Sequence, residues 1–415
     1  MKKILLTSLF FLLTACAVQH RETNKLASQL YLQTPQQVLL QMQKIEPPER
    51  DYAQYHLNIG LLQLFSSDFK SAIDSLSQAK KEMAALAAIS ISENAAAGTI
   101  NETLRSYSGY PTDRVMVHNM LALSYLFNDD IDGARVEMLQ ADIAMKKLAT
   151  KSTLSGQLAS THLISGIIYE MLDEQSNALI SYRHSEQLIK QRNLTVPIGL
   201  QKSLLRLSYR VDRNGQYELY KEQYSGFPTP LVNNNGKQIF SLYFDGVVSH
   251  KIENSLLVPS GNGEQLIRIS MPAYPNVKRV SKYAKINDTN AQVSTELIEN
   301  LDKTVREDLA EEYPSILLLT TTRAIAKYEL VSQADKQDSL LGALVNLATV
   351  LTEVADLRSW NILPSSIQFA YLETNDTEIT INTVNKVDQT ISLSNGSKNL
   401  LLISSLDTPV FHYQQ

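Results

Sequence analysis

Val115-Met116-Val117-His118-Asn119-Met120-Leu121-Ala122-Leu123-Ser124-Tyr125-Leu126, with Asp132-Gly133-Ala134-Arg135-Val136-Glu137-Met138 after it, decides the fold. Its apolar residues recur at spacings of three and four, the period of an amphipathic helix, on both sides of a short polar break. Ala122 lies twelve positions before Ala134, and the same interval separates Gly60 from Ala72 and Gly166 from Ala178. Equivalent large and small residues surround each pair. They are Ile59, Phe69, Leu76 and Ala79 in the first unit; Leu121, Tyr125, Met138 and Ala141 in the second; Tyr169, Tyr182 and Ser185 in the third. A small residue lets two helices approach closely while large ones wedge between them, so the spacing predicts repeated helix pairs over 47–225, beginning at Pro47-Pro48. The first helices lie 62 and 44 positions apart, so inserts must separate the units. The longest, Lys80 to Pro111, holds an Ala-rich helix over Met83–Ala97 and a Gly-Tyr-Pro turn.

This arrangement resembles the tetratricopeptide repeat, which implies a solenoid with a concave face built from the first helix of each pair. On that face Asn58, Gln63, Asn119 and Ser165 are expected to line a groove for a protein partner. His56, His118 and His162 share one repeat position. They are read as packing where such repeats carry a bulky aromatic, with a metal site as the sharper alternative.

At Gly226-Phe227-Pro228 the period changes, and a second region is expected over 226–415. Gln238–Phe244, Lys251–Val258 and Gln265–Met271 alternate or run β-rich and predict a small antiparallel sheet. Three helices should follow: about Asn290 to Tyr313, a second opened by Pro314 and ending near Ser332, and a third from Asp338 to about Leu357. Leu340–Val354 is apolar enough to suggest a membrane span, but Asn346, Thr349, Thr352 and Glu353 interrupt it, so a buried core helix is expected. Strands return at Ile367–Leu372, Glu378–Val384, Thr390–Leu393 and Asn399–Ser405. The fold class is therefore α+β, an N-terminal helical-repeat solenoid followed by antiparallel strands and three helices.

Composition agrees with a folded chain. Of 415 residues, 44% are hydrophobic and 20% charged, with only 15 Gly and 13 Pro, which excludes disorder throughout and collagen-like sequence. The 38 Lys+Arg against 43 Asp+Glu give a net charge of −5, with no long block of either sign, so no nucleic-acid partner is expected. The single cysteine excludes an intrachain disulfide and a multi-Cys metal site. It sits at Cys16 after Leu13-Thr14-Ala15, behind a basic Met1-Lys2-Lys3 and an apolar Ile4–Leu13. That is the pattern of a bacterial lipoprotein signal over 1–15, too short to span a bilayer. Cys16 would then carry diacylglycerol and an amide-linked acyl chain such as palmitate, a stable membrane anchor. Residues 16–46 would form the tether and first helix. Ala17, rather than Asp, after the cysteine points to the outer membrane of a Gram-negative cell, facing the periplasm.

Enzymatic chemistry is not found. There is no P-loop, since Asn235-Gly236-Lys237 lacks the upstream Gly and the following Ser or Thr. There is no His-Glu-x-x-His and no Gly-x-Ser-x-Gly. Ser67-Asp68-Phe69-Lys70 fits Ser-x-x-Lys but lies inside the first repeat with no Lys-Thr-Gly after it. Glu311-Glu312, with Arg306 and Asp308, reads as a solvated helix face. No enzyme, cofactor or metal is expected.

Two stretches say more. Ser106-Tyr107-Ser108-Gly109 leads to Asp113-Arg114, His118 and Asp132-Gly133-Ala134-Arg135-Val136-Glu137; later come Asp356-Leu357-Arg358-Ser359-Trp360 and Leu363-Pro364. With Met271-Pro272-Ala273-Tyr274 between them, they resemble a family of uncharacterised tetratricopeptide-repeat lipoproteins of Gram-negative bacteria. The likeness covers the whole mature chain, with Asp113 standing where that family has Glu. It implies no activity, but members of that family tend to be encoded beside lipoproteins that activate penicillin-binding peptidoglycan synthases, which implies a cell-envelope role. Arg135 and Glu137 are read as ties between the insert and the repeats. Arg358 and Trp360 are read as a staple at a helix end, with a partner contact as the alternative. The expected function is a non-catalytic, membrane-anchored scaffold that binds other envelope proteins. The alternative is a structural accessory lipoprotein of an export or surface-assembly machine, in which the chain would form a homo-oligomer.

Overall fold

A computed structural model describes residues 23–415 apart from 94–104, 151–152, 230–235, 261–264, 278, 385 and 395–396. The signal sequence, Cys16 and the end of the Ala-rich insert lie outside the described residues. Residues 23–29 form α1, and Thr34 with Gln37 makes a capping box for α2 (Pro35–Met42). Three helix pairs follow: α3 (Tyr52–Phe65) with α4 (Phe69–Glu93), α5 (Pro111–Phe127) with α6 (Ile131–Leu148), and α7 (Ala159–Met171) with α8 (Gln175–Gln191). The small residues are where the partners touch. A methyl group on Gly60 would strike Leu76, and one on Gly166 would strike the Tyr182 ring. Each pair turns through a left-handed residue seven positions after its small one: Ser67 (φ 65°), Asp129 (φ 60°) and Asp173 (φ 59°). Polar ties link the helix pairs, and one of them reaches Lys80, the first residue of the insert. Glu137 accepts from Lys80 at 2.6 Å and pairs with His118 at 2.7 Å, while Arg135 reaches Glu174 at 2.6 Å. Helices α9 (Ile198–Val211) and α10 (Gln216–Gln223) complete the helical region.

The sheet region begins with β1 (Lys237–Asp245), β2 (Ile252–Pro259), β3 (Leu266–Ala273), β4 (Ala284–Asn287), β5 (Gln292–Ser294) and β6 (Glu296–Glu299). After helices α11 (Leu301–Asp335) and α12 (Ser339–Thr352) come β7 (Ser366–Thr374), β8 (Glu378–Thr383), β9 (Gln389–Ser392), β10 (Lys398–Ser404) and β11 (Phe411–Gln414). The antiparallel expectation needs correction. The main sheet runs β11-β10-β1-β7-β6, and β1 pairs parallel with β10, Gln238 opposite Lys398 through Phe244 opposite Ser404. The two β-rich stretches therefore share sheets, and only β2 and β3 form an isolated ribbon.

Every residue of β1 is buried, because both faces of the main sheet are covered. Phe240, Leu242, Phe244, Phe369, Tyr371, Leu400 and Leu402 enter one continuous core with the helices. Phe65 meets Phe244 at 6.5 Å between ring centres, and Phe69, Phe127 and Phe411 lie within 5.7 Å of one another. On the opposite face Ile239, Tyr243, Leu372, Leu401 and Ile403 pack on Ile286, Ile379 and Ile381 of a second sheet, β5-β4-β8-β9. The layers are thus helices, five strands, four strands.

Three helical expectations also change. Residues 292–294 and 296–299 are instead strands β5 and β6, and Asn300 caps α11. Pro314 lies inside one unbroken helix, not at the start of a second. It is tolerated because its face is exposed and the Ala310 carbonyl it deprives of a donor is also exposed. Finally α12 is not a core helix. Only Gly342 of its fourteen residues is buried, since it packs mainly on α11 and β3 with nothing over its outer side. No described helix is long and apolar enough to cross a membrane. Together α11, α12, β2 and β3 form an arm that leaves the body, with α11 about 52 Å long at 1.5 Å per residue.

Candidate functional site

At the root of the arm, where α5, α11 and the segment after α12 meet, a cavity of about 490 Å³ opens to solvent. Its wall is the loop Arg105–Tyr110, with Pro272, Glu312, Ile316, Asp356 and Arg358 opposite. The loop is fixed at each turn. Tyr107 N–H donates to the Arg50 carbonyl at 2.8 Å, and Arg358 Nη1 donates to the Arg105 carbonyl at 2.6 Å. Arg114 Nε donates to the Ser108 carbonyl at 3.0 Å. Gly109 has φ +73° and no room for a Cβ, which would collide with Met83 Sδ.

Behind the loop, charge collects at the N-terminus of α5. Asp113 accepts from the Tyr107 hydroxyl and from Tyr110 N–H (3.1 Å), and Asp308 accepts from Thr112 N–H (2.8 Å) and the Ser155 hydroxyl (2.6 Å). Helix-terminal N–H groups and the helix dipole favour these carboxylates. Burial still dominates. It lifts Asp113 to about 6 against the donors that pull it down, raises Asp308, and holds the Tyr107 phenol well above its ordinary range. Lys251 is buried with its ammonium 3.6 Å from the centre of the Tyr110 ring and donating to the Arg358 carbonyl at 3.0 Å. Desolvation lowers it to about 8, although Asp356 and Asp113 oppose that. Glu312 stands exposed at the cavity mouth, and the protein around it raises its carboxyl by desolvation to about 7.

The opposite wall is an ion cluster. Arg358 reaches Asp51 at 2.9 Å and Asp356 at 2.6 Å. Desolvation alone would lift Asp356, but the charge and hydrogen bonds of Arg358 outweigh it and hold the carboxyl at about 2. Asp356 in turn raises the Arg358 guanidinium above its usual value.

The residues singled out from the sequence fall in two places. Asn58, Gln63, Asn119 and Ser165 do face inward from the first helices, but the groove is filled by the chain itself. Asn58 donates to Asn361 at 3.3 Å beside Gln54, which donates to the Ser359 carbonyl at 2.6 Å; Asn119 donates to Thr161 at 2.9 Å; the Ser165 hydroxyl donates to the Thr161 carbonyl at 2.9 Å. All four are less than 9% exposed, so the expectation of an open binding face there is corrected. Trp360, 1% exposed, lies in the core between the helices and the main sheet. Only Arg358 of the six reaches the cavity.

Of the three histidines in register, His56 lies 3.4 Å from Glu82, His118 pairs with Glu137, and His162 packs edge-on to His184 with ring centres 5.0 Å apart. No group of three metal-ligating side chains occurs among the described residues.

Asp308 is a further correction, because it is fully buried and not on a solvated face. Its signal was its register, since Leu301, Thr304, Val305, Asp308, Leu309 and Ile316 mark one helix face. Lys251 carries no such signal. The stretches at 106–114, 271–274 and 356–360, far apart in the chain, meet at this wall. A second cavity, of about 600 Å³ between α9 and β7, is lined by Lys202, Phe227 and Tyr371 and draws on none of these stretches.

No protein-family model matches the chain, and no curated protein does. Among solved structures, BtubC (BKLC) from P. vanneervenii is 15% identical with a TM-score of 0.30, over 48% of this chain and 76% of that one. The Rap conjugation gene regulator of the plasmid pLS20, in complex with the Phr* peptide, is 13% identical with a TM-score of 0.29. That match covers 52% of each chain, so this protein spans about half the regulator's length. At such scores neither likeness carries an argument about this chain.

Proposed function

We propose that the protein is a non-catalytic scaffold of the Gram-negative envelope, anchored in the outer membrane through lipid on Cys16, that holds another envelope protein at the arm-root cavity. Its helical pairs are of tetratricopeptide type, with the groove already occupied by the chain's own Ser359–Leu363. The observation that carries this reading is the cavity itself. It is the place where the stretches shared with the envelope-lipoprotein family converge, and it remains open when the groove is closed. Its wall sets Glu312, Asp356 and Arg358 beside Tyr107, Tyr110, Ile316, Leu318 and Leu319, a mixed charged and apolar lining that suits a protein segment carrying both kinds of group. Arg358 is committed to Asp51 and Asp356, and Tyr107 to Asp113, an arrangement that fixes the loop rather than activating a nucleophile. The exposed apolar arm favours the second reading, a structural accessory lipoprotein of an export or surface-assembly machine.

The test is a photo-cross-linking residue in place of Ser106, exposed at the cavity rim, followed by purification and mass spectrometry. One envelope protein, such as a peptidoglycan synthase or its activator, should be captured, and Glu312→Lys should reduce its yield about tenfold. Capture of secretion components only, or equal yield from the Glu312→Lys chain, would move the second reading into first place.

A further inference from the structure

The arm exposes a large apolar surface with no charge along α12. Leu340, Leu341, Leu344, Leu347 and Leu351 of α12 are 42% to 69% exposed, and residues 339–352 include no charge. Leu317, Leu318, Ile325 and Leu330 of α11, on the same arm, are 47% to 68% exposed. In β2 no residue is buried, and Leu256 and Leu257, which point to opposite faces, are 62% and 55% exposed. The five α12 leucines alone expose on the order of 500 Å², the size of the largest apolar patch on a typical monomer, about 300–600 Å².

The ribbon also has an unused edge. β2 pairs with β3 and with no other described strand. Ser260 N–H donates to the Gln265 carbonyl at 2.8 Å where the ribbon ends, which sets the alternation of the ladder. With β3 paired from Ile252–Ala273 to Pro259–Leu266, the even-numbered β2 residues exchange bonds with β3. Glu253, Ser255 and Leu257 turn their N–H and C=O groups outward. Pro259 and Pro272, which have no N–H, both fall at outward-turned positions, as this register requires.

We propose that a second copy of this chain covers the arm, β2 pairing antiparallel with β2 of the other copy about a two-fold axis at Ser255. Ser255 then meets its own equivalent, Glu253 lies opposite Leu257 of the second copy, and two ribbons become one four-stranded sheet. An identical edge is a self-complementary partner, which is what a closed two-fold interface needs. A bilayer suits the patch less well. Hydrocarbon offers nothing to the outward amides and carbonyls, at a cost of several kcal/mol for each. The polar Glu253, Asn254, Ser255 and Asn346 stand among the leucines, and Asp335, Lys336 and Asp338 sit at the tip.

The test uses the chain from residue 16 onward with Cys16→Ser, so it does not depend on the lipid anchor or on the cavity. In that thiol-free background Ser255→Cys places two sulfurs across the axis, where paired Cα atoms lie about 5.5 Å apart, within disulfide range. Oxidation should give a covalent dimer with Ser255→Cys and none with Ser392→Cys, a control on the exposed face of β9. Sedimentation at micromolar concentration should show a dimer. Leu257→Pro removes only an outward N–H, so it should weaken association about tenfold or more while the fold is kept. Leu344→Glu, on α12, should act in the same direction and serves if the proline variant misfolds. A monomer at every concentration, a dimer indifferent to both substitutions, or flotation of the unlipidated chain with phospholipid vesicles in place of dimerisation would overturn the proposal.

Discussion

Glu312 and Lys251 show how far single residues depart from their ordinary chemistry at the arm root. A carboxyl raised to about 7 contributes stability below its unfolded value near 4.5, and that contribution is lost as pH rises through 7. Asp113, raised to about 6, acts in the same sense. A lysine lowered to about 8 acts the opposite way, because the folded state sheds its proton first, so stability returns as pH rises from 8 towards 10.5. The melting temperature should therefore dip between about pH 7 and 8, and Glu312→Gln should flatten its acid side; a profile identical to the parent's would show that Glu312 does not titrate as described. At this scale the sequence was legible where a small residue kept its helical register, as with Gly60 and Gly166, and was misread at Asp308, whose buried register was taken for a solvated face. It was silent on Lys251, whose burial depends on Tyr110 and Arg358, residues brought to it from far along the chain. Asn58 and Asn119 were read correctly as inward-facing and wrongly as open, because sequence period reports a face and not what covers it.

Among the elements, α11 tests the rule that proline stops a helix. Pro314 removes one backbone hydrogen bond in the middle of 35 residues, yet the helix continues because the buried register on either side, Asp308-Leu309 and Ile316, is one unbroken stripe. Pro314→Ala should then stabilise the protein by up to about 3 kcal/mol, read as a higher urea midpoint. No gain would mean that the helix bends at this point and needs the bend. Helix α12 was legible as a helix and misread as core, since a chargeless apolar face looks the same whether it meets its own chain or another. The strands β5 and β6 were missed because each is too short to show alternation clearly.

For the whole molecule, the division into a helical region and a sheet region follows the change of period near Gly226, but the core does not divide there. Phe65, Phe69 and Phe127 of the helices pack with Phe244 and Phe411 of the sheet. Calorimetry should accordingly show one transition for helices and main sheet together, and two well-separated ones would argue for independent units. That shared core was not legible, because nothing local in β1 says that its neighbours are β7 and β10 rather than β2.

The parallel pairing of β1 with β10 also sets a timetable. Phe244 waits for Ser404. One hundred and sixty residues separate them, and until the later ones are in place the helical layer stands with its aromatic side unroofed. A chaperone has that long to engage it. A chain without β10 and β11 would keep that aromatic side uncovered.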